Sequence, residues 1–231
     1  MRVGVFDSGI GGLTVLKKLK EKYPLNDYIY VGDNLNVPYG IKSKKELLKL
    51  SIDIIEFLIN KKVDVIVIAC GTVSSNVYKE LKEKYKIKII DIITPTINYL
   101  KKSNYKNILV FATKATINSH IFKNNIENIK EEACVEFVPL IENDMIESIE
   151  MKNAIKKHMV ECDIIVLGCT HYPLIKHIIN QKTIDMADNI ILDSNNGNGT
   201  INYYFSKIDD KLIKNVKMIM KEDVKCQNYQ N

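Results

Sequence analysis

The sequence predicts an α/β protein: two similar doubly wound α/β units, related by pseudo-twofold symmetry, with a ligand cleft between them. Two observations carry this. Strand-like and helix-like segments alternate along the whole chain, which implies mostly parallel sheets with helices on both faces. The order then recurs. VGVFDS (3–8) resembles ILVFAT (108–113), YVGD (30–33) sits against FVPL (137–140), and VDVIVIAC (63–70) against CDIIVLGC (162–169), at nearly equal separations. Such self-similarity points to two copies of one unit, although any two doubly wound units share some of it. No Pro/Gly/Ser-rich linker or low-complexity segment is present. The best boundary is the turn region at 94–106. One unit then spans 1–94, joined by closing helices at about 196–231, and the other spans 95–195.

Each element has a local reason. RVGVF (2–6) reads as a short buried strand, followed by a Gly-rich turn and a helix from about Gly12 to Tyr23. DYIYV (27–31) is the second strand. Ser43-Lys44-Lys45-Glu46 has the capping-box pattern, with Ser43 as N-cap. The helix behind it carries Leu47, Leu50, Ile54, Phe57 and Leu58 at helical spacing. VDVIVIA (63–69) is a fully buried strand by its β-branched run. KIIDII (88–93) follows a charged helix, and Thr94-Pro95 opens the next with Pro at the tolerated first position. In the second half NILVFAT (107–113), DIIVLG (163–168) and NIILD (189–193) read as strands, and CVEFVPLI (134–141) separates helical segments.

Composition narrows the function classes. Of 231 residues, 46% are hydrophobic and 26% charged, which is ordinary for a globular chain of one large or two small cores. No apolar run approaches the ~18 residues of a membrane span. The N-terminus, MRVGVFDSG, has no signal-peptide apolar region, so a cytoplasmic protein is expected. Cys70, Cys134, Cys162, Cys169 and Cys226 form no disulfide framework and are expected to be thiols. The net charge of +5 rests on lysines, because Arg2 is the sole arginine. Arginine is the usual bidentate reader of phosphates and bases, so no nucleic-acid partner is expected. A carboxylate ligand must instead be held by backbone N–H groups, hydroxyls, amides or lysines.

Two buried strands end on a cysteine. VIVIACGTVSS (65–75) carries Cys70, and IIVLGCTHYPL (164–174) carries Cys169; only the second has a histidine, His171, close behind. Each cysteine precedes a helix N-terminus, an electropositive place that lowers thiol pKa. In facing α/β units the cleft lies at the strand C-terminal ends, and the two thiols approach one ligand from opposite sides. Such a pair suits two-base catalysis. One thiolate removes a proton from a stereocentre, and the opposite thiol returns one to the other face. Oriented donors must stabilise the carbanion-like state. Residue types alone leave other readings open. Buried structural cysteines are the commonest, and a nucleophile–base dyad of Cys169 with His171 is a third. A zinc site lacks a fourth ligand at ordinary spacing, so no metal is expected. DSGIGG (7–12) has the look of an anion-binding turn. However, Thr14 stands where G-x-G-x-x-G needs glycine, and no G-x-x-x-x-G-K-[ST] occurs. A pyridoxal cofactor would need a Schiff-base lysine; the many lysines exclude nothing, but opposed cysteines make that cofactor unnecessary.

Five motifs follow in one order: VGVFDSGIGGLTVL (3–16), GDNLNVPYG (32–40), ACGT (69–72), FVPLIE (137–142) and LGCTHYPL (167–174). Together they resemble the cofactor-independent aspartate/glutamate racemase superfamily over about residues 1–195, and the histidine after the second cysteine is similar to its glutamate branch. The resemblance implies interconversion of L- and D-glutamate without cofactor or metal, D-glutamate supplied to peptidoglycan, and a homodimer. It implies Cys70 and Cys169 as the catalytic bases, assisted by Asp7 and His171, with Asp33 and Glu142 as supporting carboxylates. Asp7 and Ser8 would meet the substrate amino group. Pro38, Tyr39, Gly40, Thr72, Thr116 and Thr170 match contacts to carboxylates, which fits a site without arginine. Simpler roles stand beside these: Asp7 or His171 as a helix cap, and Tyr39 as a packed loop aromatic. An aspartate or broad-specificity racemase, or a catalytically quiet binding protein on the same fold, are the alternatives.

Three departures concern recognition rather than proton transfer. Gly71 stands at a substrate-contacting position where the family usually has Asn, removing an amide whose hydrogen bond is worth roughly 1.5–3 kcal/mol to a charged group. Asn34-Leu35-Asn36 replace the family's Thr-Ala-Arg. Asn195 replaces a glycine after Asp193-Ser194.

Overall fold

The β-branched runs become strands that sit in the middle of sheets. In the computed structural model, which describes residues 1–229, the first half runs β1 (Arg2–Asp7), α1 (Leu13–Lys22), β2 (Asp27–Gly32), α2 (Lys44–Asn60), β3 (Val65–Ile68), α3 (Gly71–Asn76), α4 (Tyr78–Lys84), β4 (Lys88–Asp91) and α5 (Ile93–Lys101). The second half runs β5 (Ile108–Ala112), α6 (Lys114–Asn118), β6 (Ile129–Ala133), α7 (Phe137–Glu142), α8 (Ile149–His158), β7 (Ile164–Leu167) and β8 (Thr183–Asp185). The chain closes with β9 (Ile201–Phe205), α9 (Asp210–Met220) and β10 (Cys226–Asn228).

Two parallel sheets result, ordered β10-β9-β2-β1-β3-β4 and β6-β5-β7-β8. The four strands β2-β1-β3-β4 of the first correspond to β6-β5-β7-β8 of the second. Val3, Tyr28 and Val65 lie across the first sheet as Ile108, Ile129 and Ile164 lie across the second. Alternation along the strands then sorts apolar side chains into three clusters. Val3 and Val5 of β1 and Ile108 and Val110 of β5 enter one central cluster with Leu16, Ile97, Met186 and Val216, which runs from sheet to sheet. Phe6, Ile66 and Ile68 pack outward with Leu47, Ile54 and Leu58 of α2. Leu109, Phe111 and Ile165 pack outward with Phe137 and Ile155. Each such fully buried side chain contributes about 1.5–3 kcal/mol.

Several elements differ from expectation, each for a physical reason. YVGD is matched by β6, not by FVPL, which is the helix α7. β6 reads IKEEA, a charged sequence tolerated because it is the edge strand of its sheet. The helix expected at Thr94 starts at Ile93. Asp91 Oδ2 caps it, accepting from Ile93 N at 3.0 Å and Thr94 N at 2.8 Å, and Pro95 still falls in the first turn, where no N–H is missed. The last strand of the second sheet is β8, not residues 189–193. There Ile190 and Leu192 plug into the central cluster while Ile191 is 69% exposed, so a period of two arises without pairing. The closing segment, expected to be helices, contributes one helix and two strands. β9 pairs with β2, and β10 with β9, extending the first sheet; residues 230–231 of that expectation lie outside the described residues.

The capping box at α2 is complete. Ser43 Oγ accepts from Glu46 N, and Glu46 Oε2 accepts from Ser43 N at 2.9 Å. Ser43→Ala is expected to cost about 1 kcal/mol, lowering the melting temperature by about 2–4 °C in a chain of this size; differential scanning calorimetry checks it.

Candidate active site

β1 ends on Asp7, and the DSGIGG turn carries the chain into α1. Asp7 ties this turn together and is not the cap residue of α1, which is Gly12: its Oδ2 accepts from Gly9 N at 3.1 Å and Gly12 N at 3.0 Å. Its Oδ1 looks the other way and accepts from Thr170 Oγ1, across the cleft, at 3.4 Å. Gly12 is required there, since a Cβ would stand 2.4 Å from Asp7 Cβ. Cys70 follows β3 as the N-cap of α3, and its Sγ donates to Ser8 Oγ at 3.6 Å.

The opposite wall comes from the second sheet. Cys169 follows β7, and its Sγ lies 3.8 Å from His171 Nδ1. His171 Nε2 lies 3.1 Å from Glu142 Oε1, at the end of α7. His171 holds the cap position of the short 3-10 turn Tyr172–Ile178 but makes no side-chain cap bond. Both ring nitrogens are committed to Cys169 and Glu142 instead.

Hydroxyls and a turn complete the ring. Thr72 Oγ1 meets Thr113 Oγ1 at 3.1 Å, Thr113 meets Thr116 at 3.1 Å, and Ser75 donates to Thr116 at 3.4 Å. Thr113 and Ser75 are not among the residues singled out from sequence. Thr113 is legible in retrospect as the N-cap in ATKAT after β5, since its side chain accepts from Thr116 N. Asp33 is fully buried and tied to Asp7, whose carbonyl accepts from Asp33 N at 3.1 Å. It accepts from Tyr39 OH at 2.7 Å and Asn36 Nδ2 at 2.9 Å. Asn36, one of the departures, therefore supplies a donor to Asp33. Tyr39 is packed as well as bonded, Gly40 follows it in the turn toward Thr113, and Pro38 lies exposed ahead of it. Among the described residues no group of His, Cys, Asp and Glu is arranged to hold a metal, and no helix is long and apolar enough to cross a membrane.

The site is nearly shut: Cys70 is 4% exposed, Cys169 6% and Asp7 0%. Burial governs its electrostatics. It pushes the Cys70 thiol up to about 12, helped by the charge of Asp7 and against the backbone N–H of Val73. The expectation that a helix N-terminus would favour thiolate at Cys70 is thus overturned, because desolvation outweighs one short helix. Burial also raises Asp7, despite the opposing charge of His171 and bonds from Gly12 and Gly9. Burial alone would lower His171, but its contacts to Cys169 and Glu142 and the charge of Asp7 raise it to about 10. Glu142 is correspondingly held below the usual carboxylate range by the His171 bond.

The sign of the His171 effect is fixed. The folded chain holds this proton up to about pH 10, whereas an unfolded chain releases it near 6.5. The resulting stability is fully present below 6.5 and is lost as the pH rises through about 10. Urea unfolding of wild type and His171→Gln is expected to differ most below pH 6.5, with the gap narrowing toward pH 10. A gap independent of pH would mean a neutral imidazole.

Gly71 has a structural reason beyond the missing amide. A Cβ there would stand 2.8 Å from the carbonyl oxygen of Gly168, the residue before Cys169. The backbones beside the two thiols are thus in direct contact. Gly71→Asn is expected to destabilise by about 1–3 kcal/mol, as overpacking does, measured by urea unfolding; an equally stable variant would show that the gap widens freely.

Comparison with known proteins agrees with this architecture. The sequence model of the Asp/Glu/Hydantoin racemase family matches residues 13–195. A glutamate racemase of Hydrogenobaculum sp. (strain Y04AAS1) is 38% identical, covering 100% of this chain and 98% of the relative. The crystal structure of glutamate racemase from Francisella tularensis in complex with D-glutamate superposes with a TM-score of 0.85 at 31% identity, over 98% of this chain and 96% of that one. Glutamate racemase from Aquifex pyrophilus gives 0.84 at 32% identity, over 100% and 99%. With cysteines closing two matching strands over a shared cleft, the chain belongs to the Asp/Glu/hydantoin racemase family.

Proposed function

We propose that this protein interconverts L- and D-glutamate by two-base proton transfer between Cys70 and Cys169. The observation that carries the reading is their placement at the ends of corresponding strands, β3 and β7, on opposite walls of one sealed cleft. The environments of the two thiols divide the labour. Cys70 rests as the thiol, with Asp7 and Ser8 beside it. Cys169 faces the His171 imidazolium, which Glu142 holds, and takes the α-proton in one direction of the reaction. Cys70 then delivers its proton to the opposite face, and the reverse reaction exchanges the roles. Backbone N–H groups and the hydroxyls of Thr72, Thr113, Thr116 and Thr170 stabilise the carbanion-like state and the carboxylates. Asp33 orients the Pro38–Gly40 turn through Tyr39. The chemistry uses no cofactor and no metal. A cytoplasmic homodimer supplying D-glutamate to peptidoglycan is the setting that fits this activity.

Circular dichroism of dialysed protein is expected to show either glutamate enantiomer going to the racemate, with α-proton exchange in deuterated water. Cys70→Ser and Cys169→Ser are each expected to lower racemisation at least about 100-fold, with unequal effects on proton abstraction from the two enantiomers. Turnover of aspartate but not glutamate would replace the substrate and keep the mechanism. Glutamate that raises the melting temperature without any proton exchange would leave a binding protein.

A further inference from the structure

Thr14 opens α1, buried, at the position where its side chain breaks the glycine-loop pattern. Its Oγ1 lies 2.9 Å from Gly11 O and 2.8 Å from Thr170 O. The first contact is local, the back-bond that a threonine in a helical turn often makes. The second crosses the cleft. Thr170 stands between Cys169 and His171, so its carbonyl belongs to the segment that carries both.

The surrounding geometry makes the same demand. A Cβ on Gly11 would stand 2.4 Å from Thr170 Oγ1 and 2.5 Å from His171 Nδ1. The turn before Thr14 is therefore pressed directly onto the Cys169–His171 segment. On the other flank the two walls meet through Thr72 and Thr113, at 3.1 Å. Those hydroxyls are groups that a substrate carboxylate engages, so that tie must change when a ligand enters. The Thr14 tie uses a backbone carbonyl and a hydroxyl turned away from any such duty, so it can persist through the reaction.

We propose that Thr14 is a positioning residue: its hydroxyl holds the Thr170 carbonyl and thereby sets how far Cys169 and His171 stand from Cys70. For its kinetic consequence the proposal rests on the racemase reading. Two-base transfer needs one carbon in reach of both thiols, and a misplacement of about 1 Å costs on the order of 100-fold.

Thr14→Val keeps the shape and removes the donor, whereas Thr14→Ser keeps the donor. For glutamate racemisation, Thr14→Val is expected to lower kcat about tenfold and to move KM less than about twofold, since the carboxylate-binding hydroxyls of Thr72, Thr113 and Thr116 on the other flank are untouched. Thr14→Ser should retain wild-type kcat. A second measurement needs no substrate: iodoacetamide alkylation of Cys169, followed by peptide mass spectrometry. Loss of one ordinary hydrogen bond is expected to speed it about two- to tenfold in Thr14→Val, with Thr14→Ser at the wild-type rate. Unchanged alkylation in Thr14→Val overturns the proposal. So does a Thr14→Ser variant that behaves like Thr14→Val, which would place the effect in the lost methyl rather than the hydroxyl. If the wild type racemises no amino acid, the racemase reading fails, and the alkylation rates alone decide the role of Thr14.

Discussion

Val3 and Val5 of one sheet and Ile108 and Val110 of the other bury into the same apolar cluster, and the geometry of the cleft follows from that shared burial. Neither sheet can turn freely without exposing side chains that the other covers. β1 and β5, which supply the cluster, flank β3 and β7 in their sheets. The C-terminal ends of β3 and β7 are thus presented to each other, and each ends on a thiol. The outer clusters secure the helices behind the two walls, but the central one decides what faces what.

Burial is the next consequence. Walls with so little exposed surface penalise any isolated charge. On one wall that penalty falls on Cys70 and Asp7, both pushed toward their neutral forms. On the other it is offset by pairing: Glu142 and Cys169 face the two nitrogens of one imidazole. Two walls of similar backbone therefore differ in electrostatic character. The difference arises from a single histidine and the carboxylate behind it, not from the fold.

The central strands were legible because strands buried on both faces carry continuous β-branched runs, as VIVI and IIVL do. β6 was not, since an edge strand can be built from Lys130, Glu131 and Glu132. Residues 189–193 misled for the opposite reason: burial at Ile190 and Leu192 imitates a strand where the backbone pairs with none. INYYF has the aromatic, β-branched content of a strand, although the family resemblance implies closing helices there. In the site, Cys70, Cys169, Asp7, Glu142 and His171 were legible because local motifs announce them. The motifs around Thr113 and Asn36 show a helix cap and a departure from the family, but not the site contacts of either. What they do depends on Thr72 and Asp33, partners that only the fold brings near.

The contact between Gly71 and the Gly168 carbonyl involves no side chain on either residue. It can therefore be varied in one direction only, because every other amino acid at position 71 is larger than glycine. Divergence at this site can lengthen the span between the two walls but not shorten it. This chain stands at the narrow end of that range, where the reach of its thiols is bounded by bare backbone.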